Sequence, residues 1–212
     1  FALNRFYRTD LATKVTPDYY VIADPMFFGA VGAQRRTTDG HDADLEAYLQ
    51  KHPSVVLVLP ASLAYPAPIS QRAVYFNDLG LEGYTRAIDP TRPRGFMCMT
   101  VMHALSIAVY LGFAPIWVSG IDSDFFRSLN RSESGHIGLG AHHVFADHSA
   151  DFQEAQHFGG DAAAFLEDAG RVIHDFRLFS GHDIRNTADR SLVDAFPFDP
   201  SCPLTKSVEP SA

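Results

Sequence analysis

The chain is short of positive charge, of cysteine and of any long apolar run. Its 17 Lys and Arg are outnumbered by 25 Asp and Glu, leaving a formal net charge of −8. A general nucleic-acid binder needs clustered basic residues to neutralise phosphates, so no nucleic-acid partner is expected. Only two cysteines occur, Cys98 and Cys202, too far apart in sequence to make a metal-type pair. No stretch reads as a signal peptide or a membrane span, and a cytoplasmic location is expected. Neither a Walker loop nor a Gly-x-Gly-x-x-Gly turn is present, which removes the conventional nucleotide cradles. What remains is 212 residues at 46% hydrophobic and 20% charged, the composition of a globular protein with a real core.

The rest of the chain is organised around Met97–Asp122. Met97 to Leu111 is apolar on every side and reads as a core helix, too short to cross a bilayer. Cys98 falls within it and is expected to be a reduced core thiol. Gly112 ends the helix. Pro115-Ile116-Trp117-Val118 then reads as a strand covered on both faces, as in a parallel sheet. Ser119-Gly120-Ile121-Asp122 follows at the strand's carboxyl end, where open α/β sheets bind their ligands. Asp122 is either a group facing a ligand or a capping residue in a tight turn.

Phe1–Tyr7 and Tyr19–Asp24 read as strands, the second stopped by Pro25. A short amphipathic helix is expected near Asp42–Lys51, with Asp42 as N-cap. Ser54–Leu59 is the clearest β run, and Arg72–Phe76 is another strand candidate, with Asn77–Gly95 irregular after it. A helix from Gly160 to about Phe179, a strand at Asp183–Asn186 and a helical turn at Ser191–Ala195 complete the pattern. Strands alternating with helices predict one α/β domain over residues 1–200, a three-layer sandwich with a mostly parallel sheet, and a fraying tail at 201–212. The opening residues are already strand-like and carry no initiator Met, which suggests a segment upstream. The aromatic residues of Tyr19–Phe28 are compatible with an exposed patch and homo-oligomerisation.

The strongest chemical signal lies in the polar stretch from Ser123 to Gly160, which holds His136, His142, His143, His148 and His157. A structureless run of that length suggests a lid, about 123–160. Histidine exchanges protons near neutral pH, so one imidazole oriented by Asp147 or Asp151 suits a general base that deprotonates a hydroxyl. Incidental histidines on a solvated loop would look the same. Zinc is also chemically open to His and Asp, although the spacing fits no standard metal motif. Asn4 and Asp24 close or interrupt strands and so point to the ligand edge of a sheet, or to an edge bond and a turn. Thr100 is expected to bond a backbone carbonyl one turn back unless its helix start faces a nucleotide. Arg127 and Arg131 suit a phosphate clamp, or are solvated charges.

Taken in order, Leu3-Asn4-Arg5-Phe6-Tyr7, Ile22-Ala23-Asp24-Pro25, Thr100 through Leu111-Gly112-Phe113, Ile116 through Asp122, and His143 to His148-Ser149 resemble the bacterial sialyltransferase family that caps lipooligosaccharide. The order is also similar to the wider group of pterin pyrophosphokinase-like and surface-polysaccharide proteins. The ending Asp183–Ala188 with Ser191–Phe196 resembles that wider group's closing strand and turn. The resemblance implies a Rossmann-like fold and an inverting transfer from a CMP-sugar to a cell-surface glycan or glycolipid. It implies no metal and no cofactor beyond the donor, and work in the cytoplasm or peripherally at the membrane's inner face. It places Asn4, Asp24, Thr100, Ser119 and Gly120 at the donor, with His148 as base and His143 and His157 as competitors beside Asp122. The family's Gly-Asn-Gly-Pro-Ser loop has no match, nor do its phosphate-binding tyrosines, a role open to Arg127 or Arg131. An ATP- and Mg²⁺-dependent pyrophosphokinase-like transferase and a silent nucleotide binder are the alternatives.

Overall fold

The computed structural model describes residues 1–28, 43–65, 69–81, 83–95, 97–123, 125–131, 137–139, 153–154 and 162–202. The chain divides into two compact units, Phe1–Gly112 and Phe113–Ala212.

The first unit is built on four parallel strands, β1 (Ala2–Leu3), β2 (Tyr19–Val21), β3 (Val56–Pro60) and β4 (Ala73–Phe76), paired in that order. Tyr20 lies opposite Leu57 and Val58 opposite Val74. Successive side chains of a strand point to opposite faces, and here both faces are covered, so β3 is a continuous apolar run rather than an alternating one. Leu57, Val58 and Leu59 are at most 1% exposed. On one face, Tyr20, Ile22, Leu57 and Leu59 pack with Leu45, Tyr48 and Leu49. Those three belong to α1 (Ala43–Lys51), at spacings that make a single helical stripe. On the other face, Val21 and Val58 pack with Ala104 and Ile107 of α2 (Thr100–Tyr110). The sheet of this unit therefore carries a helix on each side, and the α/β character with mostly parallel pairing is as expected.

The second unit pairs β5 (Ile116–Val118) with β9 (Ile184–Asn186), again in parallel. β6 (Leu129–Arg131), β7 (Ile137–Leu139) and β8 (Gln153–Glu154) form a three-stranded antiparallel sheet. α3 (Ala162–Asp175) runs into a 3-10 turn, Phe176–Phe179, and buries Phe165, Ala169, Phe176 and Phe179.

Several expectations are corrected. The first strand is only Ala2–Leu3, because Phe6–Arg8 turns into a 3-10 helix. The helix expected from Met97 begins at Thr100, and Cys98 precedes it and is exposed, not a core thiol; Cys202 is the buried one. Ile116 and Trp117 are only half-buried, so β5 is not covered on both faces. The stretch from Ser123 to Gly160 is not structureless, since β6, β7 and β8 lie within it. Ser191–Ala195 holds a turn and no helix. The aromatic residues expected on the surface at Tyr19–Phe28 go largely inward: Tyr20, Phe27 and Phe28 are buried in the core. For Cys98, Ile116, Trp117 and the Tyr19–Phe28 aromatics the reason is the same: apolar character does not say which face a neighbour covers.

No helix among the described residues is long and apolar enough to cross a membrane. Leu57→Ala is expected to cost ~2–5 kcal/mol, the loss of a buried methylene cluster plus the cavity left behind, measured by urea denaturation. A cost under ~1 kcal/mol would show that β3 is not the centre of this core.

Candidate functional site

Four parallel strands put their carboxyl ends along one edge, and the residues that follow them make the site. After β1 comes Asn4, whose backbone has φ 42°, the left-handed region that Asn tolerates better than most residues. Its position is fixed three ways. Its amide N–H donates to the Val21 carbonyl at 3.1 Å. Its carbonyl accepts from the Tyr20 hydroxyl at 2.7 Å. Its side-chain Nδ2 donates to Thr100 Oγ1 at 3.0 Å, across 96 residues of chain. That geometry leaves Asn4 Oδ1 buried with no hydrogen-bond partner. Asn4 thus combines a left-handed backbone with an unpaired buried polar atom. Thr100 was expected to bond a carbonyl of its own helix; it is instead the acceptor for Asn4, because it opens α2 and faces the end of β1.

A cleft of about 180 Å³ lies at the ends of β2, β3 and β4, lined among others by Ala23, Pro60, Phe76, Asp78, Arg94 and His103. Asp78 is held by Ser62, whose backbone N–H donates to Oδ1 at 3.1 Å and whose hydroxyl donates to Oδ2. Arg94 is 1% exposed. Its Nη1 donates to Ser106 Oγ at 2.8 Å and its Nη2 to His103 Nδ1 at 2.7 Å. The guanidinium also lies over the Phe76 ring, 5.0 Å from the centroid. Ser106 passes the chain of bonds on by donating to the Ile88 carbonyl.

A guanidinium only donates, so Nδ1 of His103 must be the acceptor and the ring proton sits on Nε2. Burial, helped by the adjacent Arg94 charge, pushes the His103 imidazole down to about 4, with Asp78 opposing. Burial likewise lowers Arg94, to about 10, against the pull of Asp78 and Asp89. Among the described residues no carboxylate makes an ion pair with Arg94.

The other predicted residues are spread. Asp24 follows β2 and its carbonyl accepts from Phe27 N–H at 3.1 Å, while its neighbours Ala23 and Pro25 line the cleft. Ser119, Gly120 and Asp122 belong to the second unit, in an exposed turn after β5 where Gly120 has φ 73° and Ser123 φ 50°. That turn is pinned by the segment that follows β9. Leu192 N–H donates to the Asp122 carbonyl at 3.0 Å and the Ser191 hydroxyl to the Ile121 carbonyl. Ser123 Oγ is buried without a partner. Arg127 lies in the 3-10 turn Phe125–Ser128 and Arg131 ends β6, both exposed. His143, His148 and His157 lie outside the described residues, as do His136, His142, Asp147 and Asp151. Among the described residues no group of three or more His, Cys, Asp or Glu could hold a metal ion.

Arg94, His103 and Asp78 were missed in the sequence. One signal was there: Thr100, His103 and Ser106 recur every three residues on an otherwise apolar helix, a polar stripe that the apolar reading passed over.

Two outcomes follow. Ser106→Ala removes the acceptor from Arg94 and the donor from Ile88, and is expected to cost ~1–3 kcal/mol in chemical denaturation. His103 is depressed in the folded state, so the unfolded chain binds the extra proton first. Stability is full above the ordinary histidine range and falls as pH drops from about 6.5 through about 4. In His103→Phe that slope is expected to flatten, and an unchanged pH dependence of the melting temperature would show that His103 does not titrate as the geometry requires.

Set against known proteins, the chain matches no protein-family model, no curated protein and no solved structure.

Proposed function

We propose that the chain is a Rossmann-like, inverting glycosyltransferase that takes a CMP-sugar donor, needs no metal ion and passes the sugar to a glycan or glycolipid acceptor. The observation that supports it most is the Asn4–Thr100 pair. The resemblance assigns both residues to the donor, Asn4 also stands where a strand ends, and they meet by a 3.0 Å hydrogen bond at the carboxyl edge of a parallel sheet. Asn4 Oδ1, buried and unpartnered, is an acceptor in search of a donor. A ribose hydroxyl or the cytosine amine supplies one, and the left-handed backbone at Asn4 is the strain such a site accepts for correct aim. Ligand binding at this edge follows the general rule for open α/β sheets.

In this reading the acceptor hydroxyl oxygen attacks the anomeric carbon as the bond from that carbon to the CMP phosphate breaks. CMP departs with the electron pair, and an imidazole takes the hydroxyl proton. His148 has that role, with His143 and His157 as its competitors. Positioned proton transfer of this kind contributes roughly 10²–10⁴ in rate. Arg127 and Arg131 carry a charge that suits a phosphate. The acceptor chemistry suits work in the cytoplasm at the inner face of a membrane.

The test is binding before turnover. CMP is expected to raise the melting temperature of the full chain in the presence of EDTA, since a ligand bound only by the folded state stabilises it. Asn4→Gly keeps the left-handed turn without strain while removing the amide. It is expected to weaken CMP about tenfold or more, the effect of one net hydrogen bond of ~1.4 kcal/mol. Thr100→Val should do likewise. His148→Ala is expected to abolish transfer and leave CMP binding intact. Stabilisation by ATP with Mg²⁺ and not by CMP would replace this reading with the pyrophosphokinase-like one.

A further inference from the structure

We propose that the cleft at the ends of β2, β3 and β4 is a second, separate binding site for an oxyanion, a carboxylate or phosphate group, received by the Nε2–H of His103. Arg94 acts there as a positioning residue.

Arg94 is 1% exposed, and a charge taken that far from water is normally met by an opposite charge. Its contacts among the described residues are all neutral: the Ser106 hydroxyl, the His103 imidazole and the Phe76 ring. Asp78 and Asp89 reach it only through longer-range attraction. Arg94 is thus a buried cation behind the wall of a cleft, ion-paired to no described carboxylate, while Asp78 of the same cleft attracts it only from a distance.

His103 carries the charge's influence to the ligand. Its Nδ1 is occupied by Arg94 at 2.7 Å and its ring stacks on Phe76 with centroids 5.0 Å apart. Both contacts lock the ring in place. Nε2, on the ring's other edge, makes no hydrogen bond to any described residue. His103 also lines the cleft. Arg94 thus does two things through one bond: it selects the Nε2–H tautomer, and it polarises that N–H toward an anion. A donor held in place in this way costs no reorientation when the anion arrives.

Asp78 sets the rest of the ligand. It lines the same cleft, and Ser62 donates one bond to each of its oxygens. The lone pairs left over accept from a hydroxyl. The cleft, at about 180 Å³, is well below the ~300–1,000 Å³ of sites for drug-sized ligands, so it takes a small group and not a whole nucleotide-sugar. The chemistry it fits is an oxyanion borne next to a hydroxyl. This site stands on Arg94, His103 and Asp78 alone and does not depend on nucleotide binding at Asn4.

The experiment uses the ¹⁵N-labelled full chain. Long-range ¹H–¹⁵N spectra are expected to show His103 as the neutral Nε2–H tautomer across about pH 5–8, where an ordinary histidine changes charge. Inorganic phosphate and acetate are titrated separately and should shift the His103 ring signals saturably. The arm with the tighter response identifies phosphate or carboxylate as the natural group. His103→Phe keeps the ring on Phe76 and removes both nitrogens; it is expected to stay folded by circular dichroism and to weaken anion binding at least tenfold. In Arg94→Gln the His103 titration should move up toward the ordinary histidine value and anion binding should weaken, a pair of changes that a purely structural Arg94 would not produce together. Asn4→Gly should alter none of these readouts. An Nδ1–H tautomer in the unmutated chain, no saturable shift with either anion, or undiminished binding in His103→Phe would each overturn the proposal.

Discussion

A guanidinium removed from water must find an acceptor or a π face for its donors, and in this protein that requirement ties the irregular segment before α2 to the helix itself. Arg94 spans from Ser106 to His103 while lying on Phe76, so one side chain joins α2 to the end of β4. Its backbone is also committed, with its N–H donating to Leu79 and its carbonyl accepting from Leu81. The segment from Asn77 to Gly95 has little regular structure of its own, and its form is held by these bonds. The price of that arrangement is a buried cation, and the cleft beside it inherits the field.

The same edge of the sheet carries a second stressed feature. Asn4 is bent into the left-handed region and held there by Val21, Tyr20 and Thr100. Thr100 and His103 are three residues apart on α2, one helical turn on the same face. A single short helix therefore presents one hydroxyl toward the end of β1 and one imidazole toward the ends of β2 to β4. In the proposed transferase, the first serves the nucleotide; the second supplies a polarised N–H whose use is independent of it. Both depend on the apolar face of the helix, through Ala104 and Ile107, being seated on Val21 and Val58.

The positions of the regular elements were largely legible. β3, β4, α1 and β9 lie within two residues of where apolar runs and turn signals put them. Asn4 and Thr100 were singled out, and the fold brings them together. Arg94 was not, because Pro93-Arg94-Gly95 looks like any polar turn, and nothing local shows that its side chain will enter the core. The reading of α2 as apolar on every side hid His103 and Ser106, whose spacing was the available clue. Ile116 and Trp117 were read as covered on both faces from composition, and are only half-buried. Apolar content says that a residue can be buried, not that a neighbour arrives to bury it.

What the sequence determined by itself was the α/β character, the acidic charge balance and the periodicity that seats α1 and α3, since these rest on interactions between residues a few positions apart. The tertiary structure decided everything that depends on distance along the chain: the 96-residue span from Asn4 to Thr100, the burial of Arg94 and the tautomer of His103. The physical reason is that desolvation and hydrogen-bond pairing are properties of a place in space. A polar side chain acquires its charge state, its partner and its use only when the fold has decided how much water is left around it.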